Sequence, residues 1–400
     1  MTWRLRALVA AVLLLSGPTA AQARTQYRPT GLSAAALAQA DNQFGFSLFR
    51  TVFATQTRAN VILSPLSASL ALQLAYDGAR GATAQGMARV LGVHAGQSQV
   101  RSAAHTLLAS LVTSGGSDGL RVANSLWGRS GVPFRTPFLQ HARSSYKARV
   151  DALDFTSPTA PATINAWVKS ATNGKIPSIV DRIPPDLILY LINAVYFHGS
   201  WARPFSPAAT HPHTFTTSAG ATQVEMMSEQ GTFPYVKLAN AEVIALPYKG
   251  GRYRMNVVLP AAGVSLQSLA HTLTPGVWKA WTTRTRSAYG SVSLPRFSLT
   301  NDHQLVAPLA RLGMGSAFSQ TADFAGMCLQ PCRLSQARQK TFLNLDENGT
   351  TAAATTSIGV SPTATQQSSF SMVVDRPFFL SIEDVSTGSI LFFGAVNTPA

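Results

Sequence analysis

A chain of 400 residues with 46% hydrophobic side chains can bury a large core, and no internal repeat divides it. The formal charge is +15 although only 12% of residues are charged. The basic residues (Arg80, Arg89, Arg101, Arg121, Arg129 and others) are scattered, with no run of five and no basic stripe interleaved with aromatics, which argues against a specific nucleic-acid site and leaves solubility and a weak attraction to polyanions.

Residues 1–23 carry Arg4 and Arg6, an apolar run from Ala7 to Leu15, a break at Gly17-Pro18 and the small-x-small site Ala21-Gln22-Ala23. This reads as a secretory signal peptide, too short to span a membrane. The mature chain, 24–400, is expected to be exported and soluble, extracellular or periplasmic, with no membrane association. Residues 33–56 read as a helix whose apolar face takes in Leu37, Asp41, Gly45, Leu48, Phe49, Val52 and Phe53. A short strand at 60–65 turns into an apolar helix from Ser67 to Tyr76, and 83–91 and 99–112 add helices. Gly115-Gly116-Ser117-Asp118-Gly119 is a loop before the strand 120–127, and 164–173 is a helix stopped by Gly174. Residues 187–197 form a nearly continuous apolar run, as expected of a strand buried on both faces. Further strands are expected at 243–247, 254–259, 291–294, 341–345, 378–382 and 390–393. Helices and strands mix without a linker, so one large α+β domain is expected.

Catalytic patterns are present but lack their context. Gly115 to Gly119 matches Gly-x-Ser-x-Gly, yet a helix precedes it and a strand follows, the reverse of a nucleophile elbow. Ser144-Ser145-Tyr146-Lys147 satisfies Ser-x-x-Lys, but no Ser-Asp-Asn or Lys-Thr-Gly follows, and Lys340-Thr341 continues into Phe342. His211-Pro212-His213 reads as an exposed turn with no further ligand for a metal. Cys328 and Cys332 are the only cysteines, and in an exported chain a disulfide closing this small loop is expected, contributing about 2 kcal/mol. No cofactor and no metal site is expected.

The stretch from Asp346 to Ser357 is small, uncharged after Glu347, and contained in a segment without Lys or Arg from Thr341 to Asp375. Composition alone suits a flexible linker. The same residues also suit a loop that later becomes a buried strand: Gly349 offers a pivot and Thr is comfortable when extended. Alternation would send Thr350, Ala352, Ala354 and Thr356 to one face and Thr351, Ala353 and Thr355 to the other.

An ordered set of motifs resembles the serpin family across essentially the whole mature chain. It comprises Asn60-Val61-Ile62-Leu63-Ser64-Pro65-Leu66-Ser67, Thr163-Ile164-Asn165-Ala166-Trp167-Val168 with Thr172-Asn173-Gly174-Lys175-Ile176, and Asn193-Ala194-Val195-Tyr196-Phe197-His198-Gly199-Ser200-Trp201 with Pro204-Phe205. Leu294-Pro295-Arg296-Phe297, Leu312-Gly313-Met314, Ala322-Asp323-Phe324-Ala325-Gly326-Met327, Asp375-Arg376-Pro377-Phe378-Phe379 and Phe392-Phe393-Gly394 follow in family order. The resemblance implies a large mixed sheet with surrounding helices and an exposed reactive-centre loop, here about 347–374. It also implies a monomeric, non-enzymatic suicide inhibitor that forms a covalent acyl complex with a serine protease. The cut loop then enters the sheet as a new strand.

By the same resemblance the hinge starts at Glu347 and Gly349 and runs through Thr350, Thr351, Ala352, Ala353, Ala354, Thr355 and Thr356. Trp201 belongs to the breach where the sheet opens. Ser64, Ser67 and Asn193 match a hydrogen-bonding cluster that family members commonly complete with a histidine; here Gln339 stands in that position and does not titrate. Thr351 departs from the acidic residue frequent in the family and is expected to face outward. No charged or bulky group occupies the inward hinge positions, which favours an inhibitor over a non-inhibitory binding protein, with a Ser-x-x-Lys hydrolase far behind.

Counting forward from Glu347 by the family spacing places the scissile bond at Thr363-Ala364, preceded by Pro362. Counting back from Pro377 gives Gln366-Gln367, and the forward count is preferred because strand insertion constrains that side. Without a cation in the loop, elastase-like or subtilisin-like proteases are the expected targets rather than trypsin-like ones. Asn348-Gly349-Thr350 is also a glycosylation sequon; a glycan there would obstruct insertion, and in an exported bacterial protein it is expected to be bare.

Overall fold

Continuous apolar runs and alternating ones divide this chain into two kinds of strand. The computed structural model describes residues 31–111, 119–184, 186–350 and 367–399, and Leu32–Ala400 is one compact unit. The expected signal peptide 1–23, residues 115–118 of the Gly-x-Ser-x-Gly match, and 351–366, which hold Thr351–Thr356 of the hinge, the Thr363-Ala364 bond and Gln366, lie outside the described residues. In chain order the strands are β1 (Val61–Leu63), β2 (Gly119–Arg129), β3 (Arg149–Leu153), β4 (Leu189–Ser200), β5 (His211–Thr217), β6 (Gly220–Lys237), β7 (Ala241–Pro247) and β8 (Tyr253–Pro260). They continue as β9 (Arg286–Pro295), β10 (Phe297–Gln304), β11 (Leu334–Asp346), β12 (Gly349–Thr350), β13 (Phe370–Val373), β14 (Phe378–Asp384) and β15 (Ser389–Val396). One sheet has six strands in the order β10-β11-β12-β4-β2-β3, with β11 also paired to β4, and the other has nine, running β1-β15-β14-β8-β7-β6-β9-β13 with β5 on β6.

Helix α1 (Ala34–Phe53) starts where the Ser33 hydroxyl accepts the Ala36 N–H at 3.1 Å. Helix α2 (Pro65–Gly78) starts at Ser64 with proline in its first turn, where a missing N–H costs nothing, and every one of its residues is buried. Helices α3 (Gly81–Leu91), α4 (Gln97–Leu111), α5 (Thr136–Ser145) and α6 (Ala160–Ala171) follow.

The near-continuous burial of β4 has a direct cause: its two faces serve two cores. Leu189, Leu191, Val195 and Phe197 join the main core with α1 and α2. Tyr190, Ile192 and Ala194 pack with Trp127 beneath Ile164 and Val168 of α6. Asn193 lies in the first set by alternation, so it faces α2.

One reading changes. His211-Pro212-His213 is not a turn but the exposed start of β5, paired to Met226, Glu225 and Val224 of β6. Ser144 and Ser145 end α5, and the Ser144 hydroxyl is spent on the Gln140 carbonyl at 2.8 Å. Cys328 and Cys332 form the expected disulfide, held against Phe134 by a β-bridge at Cys328.

Candidate functional site at the seam between β4 and β11

Strands β4 and β11 run parallel and pair directly from Leu189↔Leu334 to Tyr196↔Phe342. Beyond that point they part, and β12 fills the gap. Gly349 pairs with Ser200 on one side and Asp346 on the other, and Thr350 with Gly199 and Leu345. The chain therefore reverses after β11 and lays Gly349 and Thr350 back into the sheet.

Local chemistry makes that reversal. The Asp346 carboxylate accepts the N–H groups of Asn348 (2.9 Å) and Gly349 (3.2 Å), a side-chain-closed turn. Burial raises the Asp346 carboxyl above the usual carboxylate range, against those two bonds. At Gly349 a Cβ would stand 2.0 Å from the Gly199 carbonyl oxygen, so only glycine fits between the strands. Trp201 anchors the turn from its main-chain N–H to Asn348 O (2.8 Å) and from its indole N–H to Asp346 O (3.0 Å). Glu347 accepts the Thr210 hydroxyl at 2.8 Å and faces the half-exposed Arg296 guanidinium at 3.5 Å.

Thr350 is fully buried, and its hydroxyl meets the Tyr248 hydroxyl at 2.6 Å. The Tyr248 ring stacks on Trp201 with centroids 4.5 Å apart and meets Phe197 edge-on at 5.0 Å. Burial pushes the Tyr248 phenol far above its ordinary value, so it stays a neutral hydroxyl. The sequence placed Trp201 and Thr350 but missed Tyr248, whose only signal was an aromatic before the turn Lys249-Gly250-Gly251.

Lower on the seam, Gln339 and Asn193 are register partners. The Gln339 amide donates to Asn193 Oδ1 (2.5 Å) and to Ser64 O (3.1 Å), while its oxygen accepts the Ser64 N–H (3.0 Å). The Asn193 amide donates to Ser67 Oγ and to Asn124 Oδ1. All four expected residues thus meet. Asn124, opposite Asn193 on β2, extends the cluster and was missed, its one signal being the lone amide of the strand 120–127. Among the described residues no three His, Cys, Asp or Glu side chains gather as a metal site, and no helix is long and apolar enough to cross a membrane.

Residues 39–399 match the family model described as Serpin (serine protease inhibitor). The chain belongs to the serpin family. It is 33% identical to bovine leukocyte elastase inhibitor (Bos taurus), over 91% of this chain and 99% of that protein. It is also 33% identical to an uncharacterised serpin-like protein of Thermococcus kodakarensis, over 90% of this chain and 84% of the other. Human thyroxine-binding globulin, solved in complex with thyroxine, superposes with a TM-score of 0.84 at 26% identity, covering 92% of this chain and 99% of that one. The α+β serpin fold, a mixed sheet clothed in helices, is therefore the fold of this chain, and at family level it is a protease inhibitor rather than a hydrolase. Its relatives include both an elastase inhibitor and a thyroxine-binding globulin, so the fold leaves the individual role to be argued from the site.

Proposed function

We propose that this serpin is an exported, monomeric suicide inhibitor of elastase-like or subtilisin-like serine endopeptidases. The observation that carries the reading is β12: the seam already accepts the first loop residues, and those that follow are small and uncharged. The protease serine oxygen attacks the Thr363 carbonyl carbon, the bond to the Ala364 nitrogen breaks, and the new amine leaves with a proton. An ester then joins Thr363 to the enzyme. With the loop severed, Thr350 to Thr363 can continue β12 down the seam, carrying the enzyme roughly 40 Å at the rise of an extended strand. Burying Thr and Ala costs little, whereas a charged residue in that path would oppose insertion.

Residues 1–23 support export, and the net charge of +15 supports at most weak polyanion binding. Incubation with elastase, subtilisin and trypsin tests the proposal. Detergent-resistant complexes are expected with the first two; complexes with trypsin alone overturn the specificity. Mass spectrometry of the released fragment reads the bond and separates Thr363-Ala364 from Gln366-Gln367. A non-inhibitory carrier would form no complex, and its melting temperature would not rise after loop cleavage.

A further inference from the structure

The amide cluster of the seam contains no group that titrates near neutral pH, but the neighbouring strand brings one to it. His303 on β10 is the register partner of Gln339, and Asn301 is that of Thr341. Residues directly opposite in an antiparallel pair point to the same face, so His303, Gln339, Asn301 and Thr341 share one face, turned toward β1 and the start of α2. Three of the four clamp the main chain there. Asn301 Oδ1 accepts the Ile62 N–H at 2.8 Å, the Thr341 hydroxyl donates to Ile62 O at 3.1 Å, and Gln339 holds Ser64 from both sides. His303 is only 4% exposed, and neither ring nitrogen has a hydrogen-bond partner among the described residues.

We infer that His303 is an acid-sensitive catch: its neutral ring fills the clamp between the β10–β11 face and Ile62–Ser64, and its protonation opens that clamp and eases the parting of β4 from β11. A buried imidazolium needs acceptors for two N–H groups; the Ile62 carbonyl facing it, which also takes the Thr341 hydroxyl, can serve one of them and leaves the other without an acceptor among the described residues. Burial holds the imidazole below its ordinary value, opposed by the Ile62 carbonyl and the Asp302 carboxylate. Asp302 itself alternates to the other face, where Arg338 binds both its oxygens at 2.6 Å and Lys340 stands 3.9 Å away. Strand β1, residues 65–72 of α2 and the short helix Val306–Leu309 after β10 carry no charged side chain. Among the described residues these elements place no carboxylate on this face.

The sign follows. The closed form binds a proton on His303 less readily than an opened form, in which the ring titrates near its ordinary value of about 6.5. The contribution to the closed state is whole above about pH 6.5 and is lost as pH falls toward the closed-state value. Within that window each pH unit raises the ratio of opened to closed molecules by up to about tenfold.

The effect on loop insertion rests on the inhibitory reading; the catch itself does not, and two readouts separate them. The mature full-length chain is compared with His303→Phe, which fills the site without polar atoms, and His303→Gln, which is polar but does not titrate. The first readout is the annealing rate of a labelled peptide copying residues 350–363, from about pH 8 to about pH 5; the second is the thermal midpoint over the same range. Wild type is expected to anneal up to about tenfold faster per pH unit below 6.5 and to lose thermal stability there, while both variants stay flatter. Wild-type profiles parallel to those of the variants overturn the catch. Absence of annealing at every pH overturns loop insertion instead, and the difference in thermal midpoints then decides the catch alone.

Discussion

The seam between β4 and β11 is held by different means at its two levels. At the top the strands have already parted, and the gap holds Gly349 and Thr350, fixed by ladder bonds, one Tyr248–Thr350 hydrogen bond and the Trp201–Tyr248 stack. In the middle the strands pair directly, and Gln339, Asn193, Asn124, Ser64 and Ser67 are joined through buried side-chain bonds that tie the sheet to α2. Adding a strand at the top replaces one set of ladder bonds by another. Parting the middle breaks buried amide bonds before new ones form, which costs about 1–3 kcal/mol for each group left unpaired. Under the proposed mechanism, insertion begins where it is easy and meets its resistance at Asn193 and Gln339.

The largest expected effect breaks the top. Thr350→Arg puts a guanidinium where a buried hydroxyl meets Tyr248, and an unpaired buried charge costs several kcal/mol. The wedge should stay outside the sheet, and the variant should be cleaved as a substrate, with the ratio of covalent complex to cleaved product falling at least about tenfold. Densitometry after incubation with the target protease reads this. An unchanged ratio would mean that Thr350 need not enter the seam.

Much of the seam was legible because its parts are local sequence signals. The apolar run of β4, the strand-to-helix step at Ser64-Pro65 and the small residues after Glu347 each follow from periodicity or turn chemistry. The cluster Ser64, Ser67, Asn193 and Gln339 came from resemblance, since no local rule brings together residues up to 275 positions apart. Illegible parts were of two kinds. Strand β5 is mostly exposed, β6 mixes exposed, half-buried and buried positions irregularly, and the two carry Pro212, Gly231 and Pro234, so no clean alternation marks them. His303 sits in a strand whose alternation is regular, yet only the register with β11 reveals which face it shares and that its ring lacks a partner.

A second prediction sharpens the comparison by isolating what lies outside the seam. Asp41 is fully buried in α1, and its Oδ1 accepts the Ser69 hydroxyl (2.5 Å) and the Gln73 amide (2.7 Å), while Oδ2 has no partner among the described residues. Burial pushes its carboxyl up to about 7, only partly offset by those bonds. With the folded value above the unfolded one, the contribution is whole below about pH 4 and is lost as pH rises through about 7, a difference on the order of 4 kcal/mol. Asp41→Asn keeps the shape without the charge. It should raise stability at about pH 8 by a few kcal/mol and flatten the fall of the thermal midpoint between about pH 4 and 7. A fall across that window equal to that of wild type would place the cause elsewhere.

Gln339→Ala tests the middle directly. It strips the Ser64 N–H, the Ser64 carbonyl and Asn193 Oδ1 of their partner, so stability should fall by about 1–3 kcal/mol. If the middle is the resisting level, the peptide copying residues 350–363 should anneal faster even as the fold weakens. A weaker fold with unchanged annealing would move the resistance away from this cluster.

The smallest effect falls at the top and asks how firmly the wedge is held. Tyr248→Phe removes one hydroxyl and keeps the ring on Trp201, leaving Thr350 Oγ1 without its bond. A neutral buried hydrogen bond contributes about 1 kcal/mol, so the two-residue strand should leave the sheet roughly fivefold more often. Global stability should hardly move, because the turn remains closed by Asp346 and Trp201. Hydrogen exchange is the suitable measurement: protection at the Thr350 amide should drop by about that factor while the amides of β4 next to Asn193 keep theirs. Equal losses at both levels would show that the top and the middle open as one unit, and the difference drawn between them would then lie in their chemistry and not in their behaviour.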